Sequence, residues 1–141
     1  MRVIHTSDWH LGQELHGFDR GVEHDEFLDW LATQLVKLDA DALIVTGDVY
    51  DTVNPPIPAH QRLYQFLRRT LSERPALQIV IIGGNHDSAA RLELPKHLLD
   101  ANRIHLIGGM PRQDGKAAPA RTLIELCDKT QAPRAVCAAV P

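Results

Sequence analysis

Three short segments carry side chains that bind metals or move protons: SDWH at residues 7–10, GDVYD at 47–51 and GGNHD at 83–87. In the first, Asp8 and His10 stand two apart, so an extended backbone would turn both toward one site while Trp9 faces away and packs. A carboxylate beside an imidazole suits Mn²⁺, Fe or Zn²⁺ better than Ca²⁺ or Mg²⁺, which favour all-oxygen shells. Asp48 follows Gly47 and is a ligand candidate or a turn residue. Asn85 offers a neutral carbonyl oxygen. His86 titrates near neutrality and is a candidate for proton transfer. Asp87 is expected to brace its own loop rather than touch metal.

The elements that must position these groups alternate. Arg2 to Thr6 predicts a strand and residues 7–21 a polar loop. Val22 to Leu38 predicts a helix whose apolar stripe is Phe27, Leu31, Leu35 and Leu38. ALIVT at 42–46 is apolar enough for a parallel strand buried on both faces. Ala59 to Leu71 predicts the second helix, with Leu63, Phe66, Leu67 and Leu71 on one side, and LQIVII at 77–82 the third strand. A helix capped by Ser88 is expected from Ala89 to about Ala101, disturbed or split at Pro95. Ile104 to Ile107 predicts a fourth strand. Residues 108–120 read as loop, and Arg121–Cys127 with Ala135–Val140 as two further strands, antiparallel to each other. Strands alternating with helices imply a mostly parallel sheet with crossover helices, and such sheets gather ligands beyond the carboxyl ends of their strands. All three polar segments fall there.

The set D-x-H, G-D-x-x-D and G-N-H-D, in that order, resembles the signature of the calcineurin-like metallophosphoesterases. It stands here as Asp8-Trp9-His10, Gly47 to Asp51 and Gly84 to Asp87. The wording HTSDWHLGQ, HDEFLDWL, GDVYDTVNPP and GGNHDS is similar to one branch, the SbcD-type nuclease subunits of bacterial SbcCD complexes. The resemblance is clear from Met1 to about Arg91 and looser to Pro141. It implies an α/β fold of layered sandwich type, of which residues 1–141 would be the N-terminal portion. It implies that Asp8 and His10 bind one metal, Asp48 bridges two and Asn85 binds the second. By the same resemblance His86 serves the leaving oxygen of a phosphodiester, and Asp51 holds the His86 ring. Two Mn²⁺ ions are the expected cofactor, and 3′–5′ degradation of duplex DNA with hairpin opening the expected activity. DNA, an SbcC-type ATPase subunit and a second copy of the chain are the expected partners.

Two readings compete with this one. The motifs alone also fit a phosphodiesterase for cyclic nucleotides or other small molecules. A non-catalytic dimerisation or partner-binding domain is the third. The ligand count bears on all of them, because Asp8, His10, Asp48 and Asn85 are too few for two ions of about six donors each. The family supplies the rest from Gly-His segments, and this sequence has no Gly-His pair. The chain is therefore expected to be part of a longer domain, to hold at most one ion tightly, and to be inactive or weakly active alone. Of the other histidines, His16 is the nearest to a substitute ligand. His5 is expected to be a core or edge residue and His24 to start the first helix as a surface residue, while His60, His97 and His105 are expected to be structural or solvated.

Composition narrows the rest. The net charge of −3 gives no reason for strong unaided binding to nucleic acid or an anionic membrane. Arg62, Arg68 and Arg69 near the second helix would help bind DNA or form a solvated face. Cys127 and Cys137 form no CxxC pair and read as free thiols. No apolar run has membrane-spanning length, and His5 and Asp8 fall where a signal peptide needs apolar residues. A soluble cytoplasmic protein is expected, with no membrane partner.

Overall fold

The computed structural model describes residues 1–100 and 103–141. The expected parallel sheet is present. It comprises β1 (Val3–Ser7), β4 (Ala42–Thr46), β5 (Gln78–Ile82) and β6 (Ile104–Ile107), side by side in that order and all parallel. Two crossover helices, α1 (Gly21–Lys37) and α2 (Ile57–Glu73), lie on one face. Pro56 and Pro58 open α2 at positions where a missing N–H costs nothing.

Strand alternation sorts the core into two layers. Leu43, Val45, Ile79, Ile81, Ile104 and Leu106 point toward the helices and meet Leu31, Leu35, Leu63, Phe66 and Leu67. Burying each such side chain contributes about 1.5–3 kcal/mol. Ala42, Val80, Ile82 and Ile107 point the other way, under a hairpin of β9 (Leu123–Cys127) and β10 (Pro133–Ala138), through Leu126 and Ala139. Gln78 pins that hairpin by donating to the Glu125 carbonyl and accepting from the Cys127 N–H. Both cysteines are free.

Several local expectations differ from the structure. The buried stripe of α1 is His24, Leu28, Leu31, Ala32 and Leu35. Leu38 is the exposed C-cap, because the stripe ends where the chain turns toward β4. The region after β5 is split at Pro95, as expected, into α3 (Ala89–Leu92) and α4 (Lys96–Asp100), since Pro95 has no N–H and its ring blocks the preceding turn. Ser88 occupies the N-cap of α3 without a side-chain cap bond. The end expected at Ala101 lies outside the described residues. Two loops contain small hairpins: β2 (Glu14–Leu15) with β3 (Phe18–Asp19), and β7 (Arg112–Gln113) with β8 (Lys116–Ala117). Positive φ at both His16 and Gly17 gives the first hairpin its tight turn.

Candidate metal centre

The loops after β1, β4 and β5 are fastened to one another before any side chain is considered. Asp8 donates its N–H to the Gly47 carbonyl at 3.2 Å, His10 to Asp48 at 2.9 Å and Leu11 to Val49 at 2.9 Å. Gly47, at φ +81°, lies against the Gly84 backbone. A Cβ on Gly84 would overlap Asp48, so only glycine lets these two loops close. Asp87 completes the fastening. Its carboxylate accepts from Val49 N–H (3.0 Å), Tyr50 N–H (2.9 Å) and Gly84 N–H (2.9 Å), tying the β4 loop to the β5 loop.

Asp8, His10 and Asp48 each present a ligand atom within 4.8 Å of the others, and so do His10, Asp51 and His86. The two groups share His10, whose Nε2 is 3.9 Å from an Asp48 carboxylate oxygen and whose Nδ1 is 3.2 Å from an Asp51 oxygen. The His10 and His86 rings meet edge to face, centroids 5.1 Å apart. Asn85 stands in the same loop, exposed, between Gly84 and His86. The His86 N–H donates to Asp48 at 2.9 Å and holds that turn against the β4 loop.

The route by which Asp8 and His10 share a site differs from the expectation. The segment is not extended: Asp8 (φ +57°), His10 (φ +46°) and Asp48 (φ +44°) are all left-handed. Non-glycine residues in that region cost about 1 kcal/mol or more each, and such strain collects at functional positions. Trp9 packs as expected, 5% exposed, with its ring edge-on to Phe27 and Phe66. Asp51 also acts differently. Its backbone carbonyl, not its carboxylate, meets His86 Nδ1 at 2.7 Å, while the carboxylate turns to His10. Because a carbonyl only accepts, His86 carries a proton on Nδ1 in this contact. That hydrogen bond, aided by the charges of Asp48, Asp51 and Asp87, raises the His86 pKa.

The donor set fits a divalent cation. Two clusters of carboxylate and imidazole converge, the Asp8 carboxylate has no hydrogen bond or ion pair among the described residues, and His10 Nδ1 is buried without an aligned hydrogen-bond partner. Carboxylates and an imidazole gathered this closely offer a divalent cation several donors at once. The mixed oxygen and nitrogen donors match first-row divalent metals.

His16, at the tip of the β2–β3 hairpin, is exposed and belongs to neither cluster. His5 is on the edge strand and lies 2.7 Å from Thr46 Oγ1. His24 is the residue that sequence reasoning misplaced. It is 6% exposed, with Nδ1 unpartnered, and burial, then the nearby Arg20 and Arg62 charges, lower its pKa. Its spacing with Leu28, Leu31 and Leu35 was the available signal. Arg62 and Arg69 are committed to Asp25, Asp29 and Glu73. No helix among the described residues is long and apolar enough to cross a membrane.

Comparison with known proteins agrees with this geometry. The calcineurin-like phosphoesterase family model matches residues 1–128. The SbcD component of the SbcCD nuclease of Rhodobacter capsulatus is 43% identical over the whole chain, which covers 35% of that protein. Its Bacillus subtilis counterpart is 46% identical over 108 residues, 77% of this chain and 27% of its own length. The counterpart in Escherichia coli is 38% identical over 122 residues, 82% and 30% respectively. The chain thus spans about a third of the length of the curated relatives it matches. With the family model matched across all three site loops and the sheet that carries them, the chain belongs to the calcineurin-like phosphoesterase family.

Proposed function

We propose that residues 1–141 form the N-terminal part of the nuclease domain of an SbcD-type protein, a Mn²⁺-dependent enzyme that degrades duplex DNA from 3′ ends and opens hairpins. The observation that carries this reading is the convergence of Asp8, His10 and Asp48 within 4.8 Å, with His86 against His10, at the carboxyl ends of adjacent parallel strands. The similarity to SbcD components of SbcCD nucleases supports a nucleic acid over a cyclic nucleotide as the substrate. An SbcC-type ATPase, a second copy of the chain and a cytoplasmic location belong to the same reading.

Asp8, His10, Asp48 and Asn85 are the proposed ligands. Divalent cations held there supply positive charge to the phosphodiester and acidify water, the usual chemistry of such centres. The remaining steps belong to the protein. Asp87 keeps the β4 and β5 loops at fixed separation, so the ligands need little reorganisation when the substrate arrives. The Asp51 carbonyl fixes the His86 tautomer and leaves Nε2 as the nitrogen free to serve the substrate. A protonated Nε2 there donates to the departing oxygen, an effect worth roughly 10²–10⁴ in rate.

The test compares hairpin-ended duplex DNA with cyclic AMP as substrates of the complete protein in Mn²⁺. Selective opening of the hairpin supports the nuclease. Turnover of cyclic AMP with intact DNA refutes it.

A further inference from the structure

Tyr50 stands in the β4 loop between Asp48 and Asp51, yet its side chain belongs to the core, 2% exposed, and joins the start of α2. Its hydroxyl and His60 Nδ1 share a hydrogen bond of 2.9 Å. The two rings lie 4.8 Å apart, and Tyr64, one turn further along α2, stacks on His60 at 6.2 Å. Burial raises the Tyr50 pKa, and burial, then the Arg91 charge, lowers that of His60. Both side chains are therefore uncharged near neutrality. The proposed chemistry uses neither.

The same end of α2 braces the β1 loop. A Cβ on Gly12 would meet Pro56 at 3.0 Å and Ala59 at 3.2 Å, so that loop already touches the turn that carries His60. Leu11 and Tyr50 form an isolated bridge, and the Tyr50 N–H donates to Asp87 at 2.9 Å. The next residue is Asp51, whose N–H donates to the Leu11 carbonyl at 3.3 Å. Its carbonyl meets His86 Nδ1 at 2.7 Å, and its carboxylate lies 3.2 Å from His10 Nδ1. One residue thus sets two imidazoles. From residue 51 to 54 the chain only bends, without regular structure, so Asp51 depends on what holds Tyr50.

Building on the reading of His10 as a metal ligand and His86 as the group at the leaving oxygen, we propose that Tyr50 and His60 are positioning residues. Their hydrogen bond anchors Asp51 to the first turn of α2, and through Asp51 it fixes a proton on Nδ1 of both imidazoles. Nε2 of each is then left for the ion and the substrate. Removing the hydroxyl leaves the Tyr50 ring packed but no longer tied to α2, and Asp51 shifts against both rings. Partners that orient a ligand imidazole typically change metal affinity by about 10–100-fold. A tyrosine that only fills the core needs its ring alone, and phenylalanine supplies that ring.

The experiment compares Tyr50→Phe, His60→Leu and His60→Asn in the complete protein. Nitrogen NMR of labelled histidine, without metal, reads the tautomers of His10 and His86, and calorimetry reads Mn²⁺ affinity. Tyr50→Phe and His60→Leu are expected to mix the tautomers at both rings and to weaken Mn²⁺ binding about tenfold. His60→Asn, whose amide reaches the place of Nδ1, should restore most of both. Asp39→Asn, at the opposite end of β4, is the control for lost stability and should leave both readings alone. Unchanged tautomers and Mn²⁺ affinity in Tyr50→Phe, or equal losses in Asp39→Asn, overturn the positioning role. The two readings fail separately. Hairpin cleavage by a protein whose imidazoles ignore Tyr50→Phe sinks the positioning role alone. Tautomers that follow Tyr50 and His60, in a complete protein that cleaves no DNA, support the positioning role and sink the nuclease.

Discussion

Replacing Asp87 tests whether the centre is assembled by backbone fastening. One Asp87 oxygen accepts from Val49 and Gly84, the other from Tyr50. Asp87→Asn can keep the first pair through its amide oxygen, but its NH₂ then opposes the Tyr50 N–H. Asp87→Ala leaves all three donors open. A hydrogen bond to a charged group is worth about 1.5–3 kcal/mol, and partial access of water reduces that here. We expect Asp87→Asn to cost about 1–2 kcal/mol and Asp87→Ala about 3 kcal/mol. At about 3–4 °C per kcal/mol for a chain of this size, the alanine variant should melt roughly 10 °C lower. Circular dichroism melts supply the stability and Mn²⁺ calorimetry the affinity, which should fall as the loops separate. An alanine variant with unchanged melting and unchanged Mn²⁺ affinity would refute the argument.

The remaining expectations are narrower. His86→Ala should retain Mn²⁺ binding and lower turnover of the complete enzyme by about 10²–10⁴, the range for a general acid; a parallel loss of bound metal in calorimetry would make His86 a ligand instead. Gly84→Ala should push the β5 loop away from Asp48 and cost at least about 2 kcal/mol, as overpacking typically does; urea unfolding with an unchanged midpoint would contradict it. Asp39 pairs with Lys129 and Arg74, whose hydrogen bonds lower its pKa to about 2. Because the folded value is below the ordinary one, that stability is present above about pH 4 and is lost as pH falls toward about 2. Asp39→Asn should flatten this part of the profile in thermal melts at successive pH values, and an unaltered profile would count against it.

The sheet was legible because ALIVT and LQIVII have no polar interruption beyond one glutamine, and chains of that kind fit only where both faces are covered. The three loops were legible because their polar residues follow those runs directly. Backbone hand was not. Spacing of two at Asp8 and His10 is satisfied by an extended segment as well as by the left-handed residues that occur, and sequence does not choose between them. The roles of Asp51 escaped for a related reason: a carbonyl carries no residue signature, so its bond to His86 was assigned to the side chain. The β2–β3 hairpin has two residues per strand, too short for an alternation to register. His24 reads as a surface residue on residue type alone, although the helical period places it among leucines.

Parallel pairing has a consequence for how the centre comes into being. β1 aligns with β4 and β4 with β5 only through long crossovers, so Val3 meets Ala42 and Ala42 meets Gln78 with a helix between each pair. No neighbourhood along the chain can preform the ion ligands, and closing such distant contacts is slow. The acids therefore remain dispersed until the whole sheet registers. Any cation that recognises only the registered chain draws the folding equilibrium forward by mass action. Cofactor supply would then govern how much folded protein accumulates, before it governs a single turnover.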